Sequence, residues 1–239
     1  MQLDIKTIIK EKEISRSQVL EWEKRRAIIV LKKLGEQTDG KDLAEMRQKL
    51  AMRKRELGAG GLLKILHGEL ALSDPLAAMI AALSFGSRRF SITELVVSNG
   101  TAEHFVEWFN DRARINDEPS MLAGTPDHYI IRTNSDGSQE VVETNGGSPL
   151  VARFFIDYKD LSSLRSAADP AYPLQITGVA RSKGGRAIGG VRHQFRNEGR
   201  GFRAKLLVEY PLLVLPQIIS GHRWHLASEF GNWIETAFK

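Results

Sequence analysis

The 239 residues, 42% of them hydrophobic and 26% charged, suffice for a sizeable core, and the lack of cysteine excludes disulfides and thiolate metal sites. The formal net charge of +5 is concentrated: eight basic residues between Arg181 and Lys205 face only Glu198, so that segment is +7 and the rest of the chain −2, which implies one positive surface rather than general nucleic-acid affinity. No run approaches the roughly 18 apolar residues of a membrane span, and Met1-Gln2-Leu3-Asp4-Ile5-Lys6 lacks the parts of a signal peptide, so the expected setting is cytoplasmic and away from membranes.

Residues 1–60 read as a helical hairpin. Ser15 with Gln18 forms a capping-box pattern, and Val19, Leu20, Trp22, Ala27, Ile28, Leu31 and Leu34 follow at helical spacing to a stop at Gly35. Thr38-Asp39-Gly40 is the expected turn, and a second helix carries Leu43, Met46, Leu50 and Leu57 before Gly58-Ala59-Gly60-Gly61. These apolar stripes exceed what one short hairpin can hide, so the hairpin is expected to serve a homo-oligomer and residues 61–239 to form the main domain. The run Arg53-Lys54-Arg55 reads as a solvated helix face, with anion contact as the alternative.

Further helical stretches follow over residues 62–90, with Pro75 at a helix start. Ile92 to Val97 predicts a short strand and Thr101 to Arg114 a helix. From Asp127 the pattern turns β. His128 to Thr133 and Gln139 to Thr144 flank an Asp136-Gly137 hairpin signal. Strands are also predicted over Leu150 to Tyr158, Gln175 to Arg181, Ala187 to Arg196 and Gly201 to Tyr210. Pro216 then starts a helix that runs to about Phe238. The expected fold is α+β: a helical N-terminal region, then a curved antiparallel sheet gripping a long C-terminal helix over a cavity.

That last helix carries a polar stripe. Leu226, Phe230, Trp233 and Ile219 share its apolar side, while His222, His225 and Glu229 fall within about 60° of one another at about 100° per residue, on the border of that side. An unpaired buried Glu is costly. His225 and Glu229, four apart, can reach one ion. If the hairpin turns symmetrically at Asp136-Gly137, position 128 pairs with 145 and 130 with 143, which makes His128 and Glu143 diagonal neighbours on one face. His128, Glu143, His225 and Glu229 are then a two-His, two-carboxylate set that suits Zn²⁺, Mn²⁺ or Fe²⁺; a buried polar network is the alternative.

His225-Leu226-Ala227-Ser228-Glu229-Phe230-Gly231-Asn232-Trp233 resembles the ligand helix of the diacetylphloroglucinol and phloretin hydrolases. Pro126-Asp127-His128-Tyr129 resembles their first-ligand strand, Glu143 arrives in order, and Gly201-Phe202-Arg203-Ala204 resembles the strand before the helix. The likeness covers residues 124–236, and the gap from His128 to Glu143 is shorter than that family's. It implies a Bet v1-type helix-grip domain with zinc held by His128, Glu143, His225 and Glu229. It also implies hydrolysis of the carbon–carbon bond beside an aryl ketone by a metal-bound water, with His193 or Tyr129 handling protons.

Two other functions fit the sequence. One is a non-catalytic module of the same fold that holds a small ligand, with His222, Arg192, Arg196 and Arg203 as contacts. The other is a Mg²⁺-dependent nuclease, in which Asp127 with Asp157-Tyr158-Lys159 imitates a PD…DxK pattern and the basic strands track phosphates.

Overall fold

Ser15 opens the first long helix as its spacing to Gln18 predicts. The Ser15 hydroxyl accepts the Gln18 amide N–H and the Gln18 side chain accepts the Ser15 N–H, which satisfies two donors that would otherwise be orphaned. The computed structural model describes residues 3–38 and 42–239; of the expected turn, Asp39 and Gly40 lie outside the described residues. This helix, α1 (Arg16–Lys33), ends before Gly35, whose φ of 81° is left-handed.

The helical expectation fails over Ile5–Ile14, which form a hairpin of β1 (Ile5–Ile9) and β2 (Lys12–Ile14). Ile5, Thr7 and Ile9 are buried on one face and Lys6 is exposed, so a period of two with β-branched residues decides the local structure. The second helix also departs from expectation. A capping box of Asp42 and Glu45 starts α2 (Leu43–Leu83), which passes the glycine cluster with a kink at Gly58 (φ 58°, ψ 174°) and crosses the expected boundary at residue 60. It continues because Leu62, Leu66 and Leu70 keep a buried stripe running beyond the glycines.

The remaining elements are β3 (Arg88–Val97), α3 (Ala102–Arg114), α4 (Glu118–Leu122), β4 (His128–Thr133), β5 (Gln139–Glu143), β6 (Ala152–Asp157), β7 (Leu174–Arg181), β8 (Ala187–Glu198), β9 (Gly201–Pro211) and α5 (Pro216–Ala237). The nine strands form one antiparallel sheet in the order β2-β1-β3-β9-β8-β7-β6-β5-β4. The run from β4 to β9 is a meander, with tight turns at β4–β5, β7–β8 and β8–β9 and longer connections on either side of β6.

Two apolar layers fix the helices. On one face of the sheet, Leu226, Phe230, Trp233 and Ile234 of α5 and Phe105 and Phe109 of α3 pack with Ile131, Val141, Phe195 and Leu206; each such side chain contributes about 1.5–3 kcal/mol of burial. On the other, Val30, Leu31 and Leu34 of α1 and Leu50, Leu62 and Leu66 of α2 close over Tyr129, Ile130 and Val142. β4 and β5 are therefore covered on both faces, and the N-terminal stripes expected to face a partner are packed within this chain. The unpartnered apolar face lies further along α2, where Ile65, Leu72, Leu76, Met79 and Leu83 are 41–63% exposed. By length and composition α2 could cross a membrane, and only 22% of its most apolar window is buried; the sequence expectation of no such run is corrected on this point.

One backbone contact ties α5 to the sheet. A 3-10 turn at Asn145–Gly147 follows β5, and Gly146 (φ 55°) lies against Gly221 and His222 so closely that a Cβ on either glycine would overlap the other segment's backbone. Alanine ordinarily stabilises a helix over glycine by about 1 kcal/mol. We expect Gly221→Ala to reverse that sign and lower stability by about 1–3 kcal/mol in urea denaturation; a more stable variant would show that the contact does not constrain the fold.

Candidate metal centre

A register change and a bulge decide which side chains meet. The hairpin closes around Asn134–Ser138, where Ser138 O accepts the Asn134 N–H at 2.8 Å and Gly137 takes φ 85°. Ile130 therefore opposes Val142 and Ile131 opposes Val141, one residue away from the register that a symmetric Asp136-Gly137 turn predicts. A bulge between His128 and Ile130 absorbs Tyr129 and sets His128 directly opposite Glu143. Without the bulge, Tyr129 would face Glu143. The expected pair thus forms as direct partners rather than diagonal ones.

Helix α5 completes the group. His128 Nε2 lies 3.3 Å from His225 Nε2, 3.4 Å from Glu143 Oε2 and 3.2 Å from Glu229 Oε1. His225 Nε2 is 3.6 Å from Glu143 Oε2 and 4.0 Å from Glu229 Oε2. His128, Glu143 and His225 are buried and offer ligand atoms within 4.8 Å of one another, so together they could hold a metal ion. Ligand atoms about 2.0–2.2 Å from a central ion lie about 3.3–3.6 Å apart on a tetrahedron, close to the spacings found.

The surroundings orient the rings. Met121 O lies 3.3 Å from His128 Nδ1, a carbonyl placed to accept that N–H and leave the Nε2 lone pair facing the group. His225 Nδ1 is buried without a partner among the described residues. Its ring stacks on His222 at 5.1 Å, and His222 Nδ1 lies 3.2 Å from Ser91 Oγ. Burial opposes a charged His128, but hydrogen bonds and the charges of Glu143 and Glu229 outweigh it and raise the pKa above the usual range. Burial likewise opposes a charged Glu143, yet His225, His128 and His222 hold its carboxyl below the usual range.

Beside this group is a cavity of about 230 Å³ with Glu143, His222 and Glu229 in its wall and Phe109, Phe154 and Trp233 among its apolar lining. His193 also lines it, with Nδ1 buried and without a partner among the described residues; burial lowers its pKa to about 3, so it is a neutral imidazole. Tyr129, expected here, is not in the cavity wall; it packs in the α1–α2 layer, where its hydroxyl lies 3.3 Å from Thr144 Oγ1. Tyr158 and Tyr210 line the cavity in its place, their hydroxyls donating to Gln139 at 2.8 Å and Asn145 at 2.6 Å. Sequence reasoning passed over both, although alternation on β9 puts Tyr210 on the face of Leu206 and Ala204.

The three arginines expected to contact a ligand lie elsewhere. Val191 and His193 on β8 face the cavity, so Arg192 and Arg196 face away, and Arg203 shares their side as the cross-strand partner of Arg196. Arg192 bonds Ser166 and Gln175, Arg196 bonds Glu198, and Arg203 bonds Glu198 and Glu94. Half of the eight basic residues of this segment, Arg181, Arg196, Arg203 and Lys205, are ion-paired. The two acids of the PD…DxK pattern are also apart in topology: β5 separates β4 from β6, Arg26 holds buried Asp127 at 2.7 Å, and Asp157 caps the Lys159 N–H.

No family model and no curated protein matches this chain.

His193 gives a signed pH test. Its folded pKa near 3 lies below the ordinary value of 6.5, so its stabilising contribution is complete above pH 6.5 and is lost as pH falls, when only the unfolded chain takes up the proton. The slope is up to about 1.4 kcal/mol per pH unit. We expect urea stability measured from pH 7 to pH 5 to fall less steeply in His193→Leu than in the wild type; equal slopes would rule out a neutral buried His193.

Proposed function

We propose that the chain is a zinc-dependent hydrolase of helix-grip, Bet v1-like architecture that cleaves the carbon–carbon bond beside the carbonyl of a small aryl ketone. The observation that carries this is the convergence of His128 and Glu143 from paired strands with His225 and Glu229 from α5 at ligand spacing beside an apolar cavity. Glu229 is the proposed fourth ligand. Two imidazoles with carboxylates at near-tetrahedral spacing suit zinc, and two carboxylates cancel the charge of a divalent ion. The likeness of residues 124–236 to the phloretin-type hydrolases supports the same assignment.

Bound there, the metal would supply Lewis acidity toward a carbonyl oxygen and lower the pKa of a water molecule. The net reaction places the hydroxyl of water on the acyl carbon and its proton on the ring carbon, giving a carboxylic acid and the shortened arene. The chain's own residues position the substrate. Phe109, Phe154 and Trp233 provide apolar walls for an aromatic ring. His193 is held neutral, so it offers one N–H and one lone pair to a substrate hydroxyl or carbonyl. Tyr158 and Tyr210 stay protonated because burial pushes both pKa values up. A homo-oligomer, if formed, would use the apolar stripe of α2 at Leu72, Leu76, Met79 and Leu83.

Elemental analysis of tag-free protein is expected to find one zinc per chain. His128→Ala, His225→Ala and Glu229→Ala should abolish binding, Glu143→Ala should weaken it, and chelation should lower the thermal midpoint and stop release of carboxylic acid from phloretin. Full metal content in Glu229→Ala would refute this ligand set. A metal-free protein that still binds phloretin would leave the non-catalytic ligand-binding function.

A further inference from the structure

Lys54 is a buried cation that makes no salt bridge among the described residues. The middle residue of Arg53-Lys54-Arg55, expected on a solvated face, is only 5% exposed. Its Nζ donates to the Pro126 carbonyl at 2.9 Å and lies 5.9 Å from the centre of the Tyr129 ring. The nearby acid, Asp127, is held bidentately by Arg26. Burying an ammonium with so few partners is costly unless something else satisfies it. Burial lowers its pKa to about 8, with Asp127 working in the opposite direction.

Beside Lys54 is a second cavity of about 280 Å³, between α2 and the segment from Glu118 to Pro126. The kink at Gly58 makes room for it, since Gly58 and Ala59 present almost no side chain there. Leu50, Leu62 and Leu122 give it apolar walls. Thr125 contributes a buried hydroxyl: the residue is 2% exposed and its Oγ1 has no hydrogen-bond partner among the described residues. Two acids also line this cavity. Glu23 is already neutralised by a bidentate pair with Arg47 at 2.6 and 2.7 Å, and desolvation raises the pKa of Glu118.

We propose that this cavity is a binding site for a small amphipathic carboxylate, its anionic head on Lys54 Nζ and Thr125 Oγ1 and its tail among Leu50, Leu62 and Leu122. A monoanion fits better than phosphate. One buried ammonium and one hydroxyl match a single carboxylate, and the apolar walls at Leu50, Leu62 and Leu122 favour an amphipathic anion over inorganic phosphate, with Arg55 also in the lining. The site is separate from the metal group and does not depend on the proposed hydrolase activity.

Octanoate titrated into the full-length protein tests the proposal by calorimetry and thermal shift. Expected are saturable binding and a rise in the thermal midpoint, with neither effect from inorganic phosphate and little from octanol, which has the tail without the charge. Lys54→Met should raise the midpoint of the ligand-free protein, because it removes a buried unpaired charge, and weaken octanoate binding at least tenfold. Thr125→Val should weaken it several-fold and serves as the second variant should Lys54→Met not fold. No binding at millimolar octanoate, equal binding by octanol, or unchanged affinity in both Lys54→Met and Thr125→Val would overturn the site; unchanged affinity would place octanoate in the other cavity.

Discussion

Two histidine nitrogens 3.3 Å apart, with carboxylate oxygens at 3.2 and 3.4 Å from one of them, make up a buried assembly that hydrophobic packing alone would not place together. Each group loses hydration on burial, and the loss must be offset by the others or by a bound ion. Much of the architecture holds these groups in place. β4 is covered on both faces, so the strand carrying His128 cannot relax outward. The Gly146–Gly221 contact presses the end of β5, and Glu143 with it, toward the turn of α5 that carries His222 and His225.

Polar contacts behind α5 serve the same end. Glu23 of α1 accepts from Ser228 at 3.1 Å and from Asn232 at 3.0 Å while it pairs with Arg47 of α2. Arg16 bonds Glu235 at 2.7 Å. These bonds set the rotation of α5 about its axis, whereas its apolar side alone would tolerate some sliding. A helix whose rotation is fixed from behind presents His225 and Glu229 to the sheet in one orientation, which a shared ion requires. The N-terminal helices are thus part of the site's support, not an appendage.

The sequence discloses period and chemistry more readily than register and reach. The strands from β4 to β9, the cap at Ser15, the extent of α5 and its polar stripe were legible because each rests on local spacing. The convergence of His128 with Glu143 was legible too, but for an incomplete reason: two departures, a hairpin one residue out of register and a bulge at Tyr129, combine to give nearly the expected neighbours. Neither has a strong local signature. The hairpin over Ile5–Ile14 was hidden by its charged residues, whose helix propensity resembles that of α1. The burial of Lys54 was hidden because a run of three basic residues looks solvated, and only the packing of α2 against Pro126 and Tyr129 reverses that. Arg192, Arg196 and Arg203 were misplaced for a related reason: alternation shows that Arg192 and Arg196 share a face, but not which face turns toward α5.

Charge balance links the metal group to its cavity. Glu143 is held in its anionic form, and His128 is drawn toward its protonated form by the carboxylates around it. A bound ion would compete with protons for these groups, because it would take the Nε2 lone pair of a neutral His128. His222 and His193, one stacked on His225 and the other across the cavity, are pushed the opposite way by burial and stay neutral. The result is a graded environment: the acidic side chains of Glu143 and Glu229 at one wall, neutral hydrogen-bonding imidazoles beside them, and aromatic carbon beyond. A charged molecule gains little from the neutral part of such a cavity, and an aliphatic one leaves its imidazoles unused. The polar side chains and the aromatic carbon of this lining suit a small molecule that carries both oxygen atoms and an apolar part.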